Sequence, residues 1–141
     1  MTRILIVEDS AAMRTYVRAA LEGAPELGGD VEIVEAQSGF DALRLLPRSA
    51  YDLVITDINM PDINGLELIR FVRQAPHLKR VALLIISTQS SERDRARGLA
   101  LGADAFLAKP FSPEDLRGAV AKSLEAHRAS IPGPPDQEGS A

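Results

Sequence analysis

The sequence predicts an α/β fold, a doubly wound parallel sheet of five strands with five helices, and three observations carry the prediction. Five short apolar runs alternate with five segments of helical periodicity. Strands separated by helices form parallel sheets covered on both faces through right-handed crossovers. Two of the runs, residues 4–7 and 53–56, stop abruptly at carboxylates, Glu8-Asp9 and Asp57. The chain has 141 residues, of which 45% are hydrophobic, enough for one core and one domain.

Residues 3–7 form the first strand. A helix follows from Ser10 to about Glu22, with Met13, Val17, Ala20 and Leu21 on one face at helical spacing. Gly23 and the stretch 25–30 end it. Residues 31–36 alternate less cleanly and read as a shorter strand, after which Ser38 caps a helix that runs through Leu46 and is stopped by Pro47. The third strand, 53–56, delivers Asp57 to its exposed end. The third helix runs from Gly65 to Gln74 with Leu66, Ile69 and Val72 inward, until Ala75-Pro76 breaks it.

Residues 81–86 are the most apolar window and form the fourth strand. Ser91 and Asp94 resemble a capping box that starts the fourth helix, which ends at Gly102. That helix offers only Ala96, Leu99 and Ala100 to the core, while Arg93, Arg95 and Arg97 face water, so weak packing is expected. A short last strand, 105–108, precedes a strong helix start at Ser112-Pro113 and an inward stripe of Leu116, Val120 and Leu124. From about Arg128 the Pro/Gly-rich sequence has nothing to bury, and disorder or the start of a linker is expected.

Charge and composition exclude several classes. Formal net charge is −4 and no Lys/Arg-rich tract is present, which gives no reason to expect direct nucleic-acid binding. The absence of cysteine removes disulfides and thiolate metal sites. No signal-peptide pattern and no run of the roughly 20 apolar residues a membrane helix needs can be found, so a cytoplasmic location without membrane contact is expected. His77 and His127 have no ligand partners at metal spacing and read as surface residues.

In an open parallel sheet, ligands bind at the carboxyl ends of the strands, where the strand order reverses. That rim carries Glu8 and Asp9, Asp57, Ser87 and Thr88, and Lys109. Three converging carboxylates repel one another unless a cation binds them, and an all-oxygen donor set suits Mg²⁺. A carboxylate beside a divalent ion and a lysine ammonium is equipped to attack an activated phosphoryl group.

Glu8-Asp9, Asp57 followed by Asn59-Met60-Pro61 and Gly65, Ser87 at the end of the fourth strand, and Lys109-Pro110-Phe111 together resemble the receiver domain of two-component response regulators, of the CheY-like single-domain type. The resemblance spans residues 3 to about 127 and implies a flavodoxin-like strand order of 2-1-3-4-5. It implies a receiver domain over 1–127 and a tail or linker over 128–141. Residue by residue it makes Asp57 the phosphoacceptor, Asp9 a direct metal ligand, Glu8 an acid that holds the metal through water, and Asn59 a ligand through its backbone carbonyl. Ser87 corresponds to the switch hydroxyl, Lys109 to the cation that binds the phosphoryl group, and Phe106 to the aromatic switch residue. The Lys109–Pro110 bond is expected to be cis.

The implied partners are a sensor histidine kinase or phosphotransfer protein and a downstream protein target, met through the face of the fourth helix, last strand and fifth helix. The protein is expected as a monomer or a phosphorylation-dependent dimer, and as no enzyme beyond its own phosphorylation and dephosphorylation. Thr88 is bulkier than the Ala or Gly often found at its position, and Phe106 has no hydroxyl, so a switch there works through ring packing. Taken alone, Asp57 reads equally as a helix cap or turn residue, Lys109 as a solvated lysine, and Ser87 as an ordinary strand end. Two other functions stay open: a scaffold that works by fixed contacts, and an aspartate-dependent phosphohydrolase. The latter usually needs a second Asp where this chain has Asn59.

Overall fold

In the computed structural model, which describes residues 1–27, 29–78, 80–88 and 92–130, the apolar runs form β1 (Thr2–Val7), β2 (Val31–Ala36), β3 (Leu53–Asp57), β4 (Ala82–Ser87) and β5 (Ala105–Ala108). Between and after them lie α1 (Ala11–Leu21), α2 (Gly39–Leu45), α3 (Gly65–Gln74), α4 (Glu92–Leu101) and α5 (Pro113–Ser130). All four strand pairings are parallel, in the order β2-β1-β3-β4-β5. The fold class is the one expected from the alternating runs, and the strand order is the one the receiver-domain resemblance implies.

Successive strand residues point to opposite faces, and both faces are covered. Ile4, Ile6, Leu53, Ile55, Leu84 and Ile86 pack with Val17 and Leu21 of α1 and Leu116, Val120 and Leu124 of α5. Leu5, Val7, Val54, Leu83 and Ile85 pack with Ala42 of α2 and Leu66, Leu68, Ile69 and Val72 of α3. This double burial is why the strands read as continuous apolar runs.

Element ends differ from expectation in small, explicable ways. Pro47 sits inside a 3-10 turn, Leu46–Arg48, that continues α2, because proline is tolerated in the first turn where its missing N–H is not needed. Helix α5 continues to Ser130, past the expected boundary near residue 127, while the remaining tail, 131–141, lies outside the described residues, as does Ser91 of the expected capping box.

The larger correction concerns α4. Ala96, Leu99 and Ala100, expected inward, are exposed, and Gly98 is the buried residue of the helix. A Cβ at Gly98 would collide with Cδ1 of Ile85, so the helix lies close against β4 through a residue with no side chain. Its C-terminus is pinned by Arg73 of α3, which donates from Nε to the Gly102 carbonyl at 2.9 Å and from Nη1 to the Val81 carbonyl at 2.6 Å.

Gly65 fixes the approach of α3 to the sheet. Its N–H donates to the Ile58 carbonyl at 2.9 Å, and a Cβ there would run into the backbone carbonyl of Asp57. Backbone on both sides cannot yield as a side-chain tip can. Gly65→Ala is therefore expected to destabilise the protein by about 1–3 kcal/mol, and by more than Gly98→Ala, where the obstacle is the end of an isoleucine and helix propensity favours alanine. Urea denaturation of the two variants checks the order.

Candidate functional site

The strand register assembles the rim. Val7 pairs with Thr56, so the next residues, Glu8 and Asp57, stand side by side at the carboxyl ends of β1 and β3. Asp57 pairs with Ile86, placing Ser87 one step beyond, and Ser87 pairs with Ala108, after which Lys109 emerges. From there Lys109 reaches back across β4, donating from Nζ to Glu8 Oε1 at 2.7 Å and to Asp57 Oδ2 at 3.0 Å.

Glu8 is 1% exposed, Asp57 7% and Ser87 fully buried, whereas Asp9 is exposed. Oxygen atoms of Glu8, Asp9 and Asp57 lie within 4.8 Å of one another. One ammonium does not neutralise three carboxylates at this distance, and hard oxygen donors are the right set for a hard divalent cation. The residues present fit Mg²⁺.

The titrations follow from this crowding. Burial raises Glu8 above the usual carboxylate range, against the lowering influence of the Lys109 hydrogen bond and of the Ser10 N–H, which donates to Oε2 at 3.0 Å. Burial alone would lower Lys109, yet its hydrogen bonds to Glu8 and Asp57 outweigh that and hold the ammonium above its usual range. The charged lysine is thus part of the folded site.

Asn59 is exposed and donates its backbone N–H to Asp57 Oδ1 at 3.3 Å, which orients the carboxylate from the following turn. Ser87 passes its carbonyl to the Lys109 N–H at 2.8 Å. The Lys109–Pro110 peptide is cis. Thr88 is exposed beside this corner. Phe106 stands apart from the acids, partly buried at the β5 position that pairs with Ile85, and it lines a groove between α4 and α5 together with Arg95, Leu99 and Lys122. His77 is exposed, and the side chain of His127 lies outside the described ones.

Three residues that support the site were not singled out in the sequence. Asp62, in the loop after Asn59, accepts from the N–H groups of Gly39 at 3.1 Å and Phe40 at 2.8 Å, while Ser38 Oγ accepts from Asp41 N–H at 3.1 Å. Together they satisfy the first three N–H groups of α2 and tie the loop carrying Asn59 to that helix. Arg14 and Glu35 link the β1 end to the edge strand. The Asp-Ile-Asn sequence around Asp62 reads only as a turn, and Arg14 and Glu35 read as ordinary charged residues on a helix and an edge strand.

Desolvation pushes the Asp62 carboxyl up, but hydrogen bonds from the backbone of Phe40, Ile63 and Gly39 and from Ser38 bring it down to about 2 from an ordinary 3.8. A carboxylate lowered by folding stabilises the native state fully above its ordinary value and loses that contribution as pH falls toward the folded one. Replacing Asp62 by Ala is expected to cost about 0.5 kcal/mol, the low end for a cap because the group is exposed. The stability gap to wild type, followed by denaturant titration, should hold from neutral pH to about pH 5 and shrink progressively as the pH approaches 2.

Comparison with known proteins agrees with this geometry. The family profile of the response regulator receiver domain matches residues 4–121. Chemotaxis protein CheY1 of Helicobacter pylori is 32% identical over 116 residues, covering 82% of this chain and 90% of that protein. The KDP operon transcriptional regulatory protein KdpE of Escherichia coli is 35% identical over 130 residues, covering 92% of this chain but 54% of KdpE. The chain spans about half the length of the transcriptional regulators it matches. The chemotaxis response regulator CheY4 of Vibrio cholerae superposes with a TM-score of 0.79 at 32% identity, over 87% of this chain and 98% of CheY4. Among the described residues no helix is long and apolar enough to cross a membrane. With its sheet order, acidic rim and family match in agreement, the chain belongs to the response regulator receiver domains of two-component systems, and within them to the CheY-like type.

Proposed function

We propose that this domain is a phosphorylation-controlled switch: Asp57 accepts a phosphoryl group from a sensor histidine kinase or phosphotransfer protein, in a Mg²⁺-dependent reaction, and the modification changes affinity for a downstream protein. The observation that carries the reading is the Lys109 ammonium held between Glu8 and Asp57, with Asp9 within reach of both acids.

Glu8, Asp9, Asp57 and the Asn59 carbonyl would hold the ion. When bound, Mg²⁺ supplies positive charge against the phosphoryl oxygens. An Asp57 carboxylate oxygen forms the new bond to phosphorus as the donor's bond to phosphorus breaks, its electron pair leaving with the donor. Lys109 compensates charge on the transferred oxygens and afterwards binds the acyl phosphate. The chain catalyses only its own modification and its reversal.

The added charge and acceptor oxygens favour a state in which Ser87 turns toward the phosphoryl group and Phe106 repacks. Moving such an equilibrium from 1:99 to 99:1 requires a differential affinity of about 5.5 kcal/mol. The readout face is α4–β5–α5, where Phe106 lines the groove and Leu99 is 40% exposed at its edge. The domain works in the cytoplasm, without direct contact to nucleic acid or membrane, as a monomer or a dimer formed on phosphorylation.

Intact mass after incubation with acetyl phosphate tests the reaction. Wild type should gain one phosphoryl group only with Mg²⁺, Asp57→Asn should gain none while keeping its fold by circular dichroism, and Lys109→Ala should accept the group more slowly and without the change in partner affinity. A gain of the same size in Asp57→Asn would move the acceptor elsewhere. No gain in wild type from either acetyl phosphate or a histidine-kinase donor would favour a scaffold that works by fixed contacts.

A further inference from the structure

Glu8 is held at every polar atom the structure describes for it. Its N–H extends the β1–β2 ladder by donating to the Ala36 carbonyl at 3.1 Å, and its carboxylate accepts from Ser10 and Lys109. Its carbonyl accepts from Arg14 Nη1 at 2.7 Å. This last bond is unusual in kind, because a helix side chain, not sheet or turn backbone, fixes the peptide that joins Glu8 to Asp9.

Arg14 does not choose that position alone. Its Nε donates to Glu35 Oε1 at 2.9 Å, and the other oxygen of the same carboxylate, Oε2, accepts from Arg18 Nε at 2.7 Å. Arg18 also donates to the Ile33 carbonyl at 3.1 Å. Arg14 and Arg18 are one helical turn apart and converge on one carboxylate of the edge strand. The hydrogen bond to Arg18, opposed by desolvation and aided by the bond to Arg14, holds Glu35 below the usual carboxylate range. The Arg14 side chain is 13% exposed, whereas that of Glu35 is 30% exposed, so the Arg14–Glu35 pair is partly screened and acts chiefly by fixing direction. A guanidinium is a rigid planar fork, and with Nε committed to Glu35 its Nη1 has one direction left, toward the Glu8 carbonyl.

We propose that Arg14 is a positioning residue for the divalent-cation pocket, aimed by Glu35, so that cation affinity at Glu8-Asp9 is set in part from the edge strand β2. The inference rests on the reading above that Glu8, Asp9 and Asp57 hold Mg²⁺. Partners of this rank, which touch a ligand residue and not the ion, typically change metal affinity by 10–100-fold when removed. An ordinary surface ion pair would change it by nothing.

Isothermal titration of the full chain with MgCl₂, without any phosphodonor, tests it, alongside thermal unfolding in EDTA. Arg14→Gln should raise the Mg²⁺ Kd about tenfold. Glu35→Gln should raise it by less, since Arg14 remains but loses its aim, and the double variant should match Arg14→Gln alone because the two act in series. Arg14→Lys should fall between, as an ammonium lacks the fork to meet both partners in their present directions. Arg18→Gln should lower the unfolding temperature with little effect on Kd. Should Arg14→Gln fail to fold, Glu35→Gln and Arg14→Lys carry the comparison. Wild-type Kd values in folded Arg14 and Glu35 variants, or additive effects in the double variant, would overturn the inference and leave the metal site intact. No binding by wild type, or equal binding by Asp9→Asn, would instead overturn the metal reading beneath it.

Discussion

Two carboxylates on adjacent strands, both more than nine-tenths buried, are held together by one ammonium that arrives from a strand two places along the sheet. Coulomb repulsion between unscreened like charges at this separation would otherwise favour protonating one acid. Lys109 makes the pair tolerable, and through it β1, β3 and β5 depend on one another. The arrangement is compensated but not neutral, since Asp9 adds a third carboxylate. A residual negative charge in a semi-enclosed site is what a small divalent cation, and then a phosphoryl group beside it, are able to use.

The rim was legible in the sequence because its cause is local. An apolar run of strand length that stops at an acid tells where the strand ends and what it presents, and the parallel register then brings Glu8, Asp57, Ser87 and Lys109 to one edge. Family resemblance supplied the strand order, which alternation alone does not specify. The helices with apolar stripes, α1, α3 and α5, were legible for the same reason of period.

What escaped has no periodic signature. The inward face of α4 is marked by Gly98, and a residue without a side chain contributes nothing to a pattern of apolar side chains. Asp62 meets Gly39 and Phe40 across 23 and 22 residues, and Arg14 meets Glu35 across 21. Each is a polar group satisfying another from a different element, so its role depends on the folded topology and not on its neighbours in the chain. Such contacts turn an acidic corner into one with defined directions.

Helix α4 has a consequence for how this protein diversifies. It is held against the sheet by Gly98 and the partly buried Leu101, and by the Gly102 carbonyl after its C-terminal end, so most of its other side chains contribute little to the stability of the core. Substitutions along its outer surface are therefore nearly free of folding cost. The same helix borders the groove beside Phe106. Under the switch proposed above, partner choice and fold maintenance therefore draw on different residues, and the groove beside Phe106 is able to drift or be re-engineered while the acidic rim at the strand ends stays as it is.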